Sequence, residues 1–267
     1  MRNSQISSLE EALKNTESLV DATVKAAAVA MKAIKRVRAA TQTGNVRELP
    51  KTIEGAEQAL DALSNQFLMA KQTWNFDEGA YLSSRHFVSE VIDAAKETGV
   101  KIFEQDEMLY CYPFLIRVLP DEQTVMIDKA KERRLRPSVL ANHLKQLQSK
   151  PVRFKSEAFL ESLHSAYSDY LIDRKTTTKG RRQDGKPVRL TKVYKLFTLL
   201  PGLTRDYSKQ EFARDLYLLD ESRVTTTRDG YVITLHSPRG TEPDHQVFRI
   251  VTKDGSLKRY WGISFSK

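Results

Sequence analysis

A chain of 267 residues, 40% of them hydrophobic, carries enough apolar material for about two or three small domains, or one large one with an appendage, which excludes a disordered protein. Its one cysteine, Cys111, excludes an intramolecular disulfide framework and a zinc site built on cysteines, and it favours a reducing, cytoplasmic location. The net charge is +9, but residues 129 to 195 alone hold 18 basic and 6 acidic side chains, leaving the remainder at −3; positive charge so localised is the footprint of a polyanion-binding surface.

The opening MRNSQISSLEEALKN has no apolar segment of signal-peptide length, and nowhere does the chain approach the roughly 20 apolar residues of a membrane helix. No membrane association is expected. Residues 5 to 40 read as one long helix, in which Val20, Val24, Ala27, Met31 and Ile34 alternate steps of four and three. After Pro50 a second helix carries Ile53, Ala56, Leu60, Leu63, Phe67, Ala70 and Trp74 at the same spacing. A 3.5-residue period is the seam of a coiled coil. Gly44 stops the first helix and Pro50 starts the second. Residues 1–76 therefore predict an antiparallel helical hairpin whose first arm spans roughly 50 Å. The hairpin either packs on the body of the protein or stands free to grip a partner.

Residues 77–173 predict a mixed domain of helices and antiparallel strands. A helix over 78–98 shows Phe87, Val88, Val91 and Ile92 on one face and ends at Gly99. Short strands follow in VKIF, MLYCY, FLIRVL and TVMID, separated by the turn-like EQDE and PDEQ, with Pro113 breaking or bulging its strand. The next helix starts near Pro137 and buries Val139, Leu140, Leu144 and Leu147. A further helix over 156–172 presents Phe159, Leu160, Leu163, Tyr167, Tyr170 and Leu171.

Residues 174–189, RKTTTKGRRQDGKPVR, are too basic and too poor in apolar side chains to bury much surface. They read as a linker that meets a polyanion. Its cations Arg174, Lys175, Lys179, Arg181, Arg182, Lys186 and Arg189 join Lys129, Lys131, Arg133, Arg134 and Arg136 as the candidate nucleic-acid contacts. Contacts of this kind hold double-stranded DNA by its phosphates without reading its bases.

In residues 190–267, a helix over 191–200 ends at Pro201-Gly202, and Ser208 with Glu211 forms a capping box for the next helix. Phe212, Leu216 and Leu219 are its buried stripe. The strands VTTT and YVITLHS turn at Arg228-Asp229-Gly230, and QVFRIVTK and LKRYWGISF turn at Asp254-Gly255. Helix, turn, helix and hairpin over residues 190–237 resemble a winged-helix module. In its second helix, Lys209 and Arg214 face Glu211, Asp215, Asp220 and Glu221, a balance of −2 that disfavours insertion into a DNA groove.

No catalytic residue, metal ligand or cofactor site is predicted. Gly180 to Lys186 has the spacing of a phosphate-binding loop, but Pro187 stands where a magnesium-holding Ser or Thr is needed. His143 and Lys145 open a phospholipase-D-like pattern that Lys150 breaks, since an acidic residue is due there. Asp121, Asp128 and Lys129 suggest a metal-dependent nuclease, but the lysine is out of place. Cys111 lies within an apolar strand, where a thiol is structural.

Together these features give a mainly helical α+β protein with an N-terminal helical hairpin, a mixed central domain and a C-terminal winged-helix-like domain with antiparallel hairpins. The heptad hairpin (residues 20–34 and 53–74), the acidic winged helix (191–237) and the lack of a catalytic motif resemble the small winged-helix-containing accessory subunits that accompany SMC-like or other ABC-type ATPases in bacterial anti-phage and anti-plasmid defence. That resemblance implies a non-catalytic adaptor, contact with an ATPase partner and non-specific contact with duplex DNA. It transfers no individual functional residue. A winged-helix transcription regulator and a diverged metal-dependent nuclease effector are the alternatives.

Overall fold

The structure, a computed structural model, describes residues 8–175, 185–200 and 206–267. The architecture is α+β and mainly helical, in two compact units. One unit comprises residues 1–98, 118–125 and 132–142, and the other residues 99–117, 126–131 and 143–267. This division does not follow sequence boundaries at 77, 174 and 190, because the helix before the basic segment and the strands after it share one core.

In the first unit, α1 (Leu9–Thr43) and α2 (Leu49–Thr73) form the expected hairpin. Ser8 caps α1 by accepting the Glu11 amide at 3.2 Å. Gly44 ends it at φ 65°, and the following Asn45 amide reaches back to the Ala40 carbonyl at 2.9 Å. The seam on α1 is not the predicted one. The side turned to α2 carries Thr23, Ala26, Ala30, Ala33, Val37 and Ala40, again in steps of three and four. Val20, Val24, Met31 and Ile34 lie one position further round and are exposed. On α2 the predicted Ala56, Leu63 and Ala70 do turn inward, whereas Ile53, Leu60, Phe67 and Trp74 do not. Alanine and threonine allow the helices to approach more closely than valine or methionine would, so the small residues took the interface.

The helix expected over 78–98 is two helices, α3 (Glu78–Ser83) and α4 (Arg85–Thr98). Ser84 leaves the helical region at ψ 164°, and its hydroxyl accepts the His86 amide at 3.2 Å, starting the second helix. Tyr81, Phe87, Val91, Val125 and Leu140 are the buried centre of this unit. Leu140 belongs to α5 (Pro137–Gln148), which opens on Pro137 as expected and passes from one unit into the other.

The second unit holds most of a five-stranded sheet of order β1-β2-β3-β4-β5: β1 (Phe103–Gln105), β2 (Met108–Cys111), β3 (Phe114–Leu119), β4 (Thr124–Ile127) and β5 (Ala130–Glu132). Asp106 and Glu107, both at positive φ, turn β1 into β2, and Tyr112-Pro113 turns β2 into β3. Strand β5 lies in KAKE, which has no apolar alternation to announce it.

The remaining elements are α6 (Ser156–Lys175), β6 (Val188–Arg189), α7 (Leu190–Phe197), α8 (Lys209–Ser222), β7 (Val232–His236), β8 (Phe248–Val251), β9 (Leu257–Tyr260) and β10 (Gly262–Ser266). Strands β6, β10 and β7 form an antiparallel sheet in that order, and β8 and β9 a separate hairpin. The expected strand VTTT is reduced to one bridge, Thr226 to Val232. LKRYWGISF is not one strand. It breaks at Trp261, whose carbonyl accepts the Leu190 amide at 2.9 Å while its amide donates to His236. Beyond the break the backbones press close: a Cβ on Gly262 would lie 3.0 Å from the Val188 carbonyl oxygen. Leu160, Leu163, Val193, Phe212, Leu216 and Phe265 are central to the shared core.

Candidate nucleic-acid interface

The candidate cations fall into separate groups. In the second unit Lys129, Lys131, Lys186 and Arg189 are exposed. Lys186 and Arg189 follow the basic segment where it re-enters the fold. Gly185 donates its amide to the Phe265 carbonyl at 2.8 Å, and the Tyr167 hydroxyl donates to the Lys186 carbonyl at 2.9 Å. The backbone there is fixed while the Lys186 side chain faces solvent. Arg174 and Lys175 close α6. Lys179, Arg181 and Arg182 lie outside the described residues, as does the Gly180–Asp184 part of the phosphate-loop-like motif.

Arg133, Arg134 and Arg136 belong to the first unit. Arg133 is exposed, and Arg134 forks onto Glu132 at 2.9 and 2.6 Å. Arg136 is engaged inside its unit, donating to Glu10 at 2.7 Å and to Glu17 at 2.6 Å. Glu10 also accepts from the Ser138 amide at 3.0 Å and the Ser138 hydroxyl at 2.9 Å, so its carboxylate caps the start of α5. Burial opposes ionisation of Glu10, but the bonds from Ser138 and Arg136 outweigh it and hold the carboxyl below its ordinary value of 4.5. The stability this ion contributes is present above pH 4.5 and is lost as pH falls through the lowered folded value. Amides in the first turns of α1 and α5 are expected to lose protection, relative to their intrinsic exchange rates, in that acid window. Glu10→Gln should flatten the dependence, as hydrogen exchange followed by mass spectrometry will report.

Three cations absent from the candidate set, Lys150, Arg153 and Lys155, are exposed on the loop between α5 and α6. Their signal was present as KPVRFK, alternating cations around a proline. Lys150 and Arg153 border a cavity of about 580 Å³ that also meets Asp128, Arg214 and Asp215. Arg214 is the hub of that cluster, 2.7 Å from Asp128 and 3.0 Å from Asp215. Asp128 further accepts the Leu115 amide at 3.0 Å. The carboxylate on which a nuclease reading would rest is thus held by a guanidinium and the backbone. Among the described residues no group of three or more His, Cys, Asp or Glu side chains is placed to hold a metal ion. Cys111 is fully buried, and burial pushes its thiol up to about 12.

The acidic residues of α8 are all engaged within the second unit. Glu211 accepts the Ser208 amide at 2.7 Å in the expected capping box. Asp215 accepts the Tyr207 hydroxyl at 2.7 Å, Asp220 accepts the Tyr260 hydroxyl at 2.8 Å and meets Lys258 at 2.6 Å, and Glu221 pairs with Lys253. A balance of −2 counted along the helix therefore overstates the field it projects. Phe212, Ala213, Leu216, Tyr217, Leu218 and Leu219 of α8 are buried, and α6 and β8 pack on it. Burial withholds this helix from a DNA groove more than charge does.

No described helix is long and apolar enough to cross a membrane. Comparison with protein-family models, curated proteins and solved structures finds no match.

Proposed function

We propose that this chain is a non-catalytic adaptor that touches double-stranded DNA through phosphates and serves an SMC-like or ABC-type ATPase in bacterial anti-phage or anti-plasmid defence. The observation that carries the reading is the exposure of Lys129, Lys131, Lys150, Arg153, Lys155, Lys186 and Arg189 in one unit whose candidate reading helix, α8, is packed into the core. Exposed cations without an available base-reading element among the described residues favour non-specific phosphate contact over sequence recognition. The order α6, β6, α7, α8, β7, β10, with β10 between β6 and β7, supports the winged-helix reading. On that reading the module begins at α6, and the β8–β9 hairpin is inserted before its last strand. The ATPase half rests on the architectural resemblance alone.

With about six phosphates neutralised, log K is expected to fall with log salt at a slope near −5. Reversing Arg181, Arg182 and Lys186 to glutamate should make that slope shallower by about 3 and weaken binding for every duplex sequence alike. Fluorescence anisotropy over a salt series measures both. Unchanged affinity and slope would remove the basic segment from the interface. A strong base preference in a binding-site selection would favour the regulator, and plasmid cleavage with magnesium or manganese the nuclease.

A further inference from the structure

The hairpin carries a second apolar seam with no partner within it. On α1, Val24 (62%), Met31 (57%) and Ile34 (45%) are exposed, and on α2 Ile53 (46%), Leu60 (44%) and Phe67 (60%). In heptad terms, with Ala30 at a core position of α1 and Ala56 at one of α2, this seam holds the outer b and e sites of α1 and the e sites of α2. In an antiparallel pair the e sites of both helices lie on one side, and here Ile34, Ile53 and Leu60 line a single shallow groove. Monomeric proteins rarely leave so large an apolar patch uncovered.

We infer that the seam is an interface with a second copy of this chain, forming a four-helix bundle with the two hairpin tips side by side. The spacing of α1's outer seam alternates four and three, so the surface it fits is another helix at coiled-coil pitch. From Ile53 to Phe67 the face is about 20 Å long on α2 and about 20 Å across two helices, or about 400 Å² per copy. Doubled, it reaches about 800 Å², the size of a weak, reversible association that forms in the micromolar range.

Charge selects a copy of the same face as the occupant. Near the tip the α1 rim is basic, with exposed Lys35 and Arg38, and the α2 rim is acidic, with exposed Glu54, Glu57 and Asp61. A two-fold axis along the hairpin lays α1 of one copy over α2 of the other, so each basic rim meets an acidic one. The inference is independent of DNA binding, since none of these residues belongs to the candidate phosphate contacts.

Sedimentation velocity on the full chain, over a range of micromolar concentrations, tests it. The expected species has twice the monomer mass of 30.5 kDa. Phe67→Glu, at an exposed position that leaves the hairpin helical by circular dichroism, should raise the dissociation constant at least about 30-fold. Mixing Lys35→Glu/Arg38→Glu chains with Glu54→Lys/Glu57→Lys/Asp61→Lys chains should give a heterodimer tighter than either variant's self-association. A wild-type monomer throughout, or a dimer indifferent to Phe67→Glu, would overturn the inference. Loss of the preference for the mixed pair would overturn the arrangement with tips together.

Discussion

Arg214→Met is expected to destabilise the second unit by about 2–3 kcal/mol at neutral pH, below the range for removing one partner of a fully buried ion pair, because the cluster borders a cavity and is partly solvated. The arginine side chain is 17% exposed and contacts two carboxylates, Asp215 at 13% and Asp128 at 32% exposure. Methionine fills much of its volume, so the loss is chiefly electrostatic. Burial already pushes the Asp215 carboxyl up, against the opposing pull of Arg214 and Tyr207. Without Arg214 the folded carboxyl rises further above its ordinary 3.8. An acid whose folded pKa is raised is best tolerated when protonated. The variant's stability is therefore greatest below the ordinary value and declines as pH rises through the raised folded one. Urea unfolding at several pH values should show the gap from wild type widening toward neutrality. Arg214→Met/Asp215→Asn removes the charge while keeping an acceptor for Tyr207, and should recover a substantial part of the loss. A gap that is flat with pH, or no recovery in the double variant, would rule out the uncompensated carboxylate as the cause.

What was legible in the sequence was whatever local chemistry decides. Ser208 and Glu211 announce a capping box, and it forms. Gly44 and Pro50 announce a helix end and a helix start, Pro113 a break or bulge in its strand, and Asp254-Gly255 a hairpin. The long-range choices were not legible. The spacing of α1 supports two seams one residue apart, and the larger side chains suggest the wrong one; only the close approach of α2 selects the alanines. Residues 257 to 266 alternate as one strand, yet Trp261 transfers the chain from β8 to β6 and β7. A tight crossing at Gly262 and Val188 fixes that exchange, and those residues are 74 positions apart. The basic segment reads as a boundary because it cannot itself be core, but Leu171 before it and Val188 after it share a single cluster. The candidate interface was partly visible for a related reason. Charge is written in the sequence, whereas the engagement of Arg136 by Glu10 depends on residues 126 positions apart.

Phe212→Ala is expected to cost about 3–5 kcal/mol, the range for emptying a buried phenylalanine site. The side chain is 0% exposed. Its ring lies 5.0 Å from Phe248, 5.4 Å from Tyr194 and 5.6 Å from Phe197, with Phe159 and Tyr207 at 6.1 Å. These rings come from α6, α7, β8 and the entry to α8, so a cavity at this point loosens all of them together. The surrounding aromatics are large and mutually braced, and they cannot relax far into the space. Thermal unfolding should show a midpoint lowered by about 10 °C or more, with weaker near-ultraviolet circular dichroism from the tyrosines. Phe212→Leu retains most of the volume and should lose roughly half as much stability. Because α8 is held against this cluster, the alanine variant also separates packing from recognition. If α8 is a core helix rather than a reader of bases, DNA affinity measured below the new midpoint should match wild type. A variant as stable as wild type would show that the ring cluster is not the centre of this core. A folded variant that lost sequence preference would return α8 to the groove.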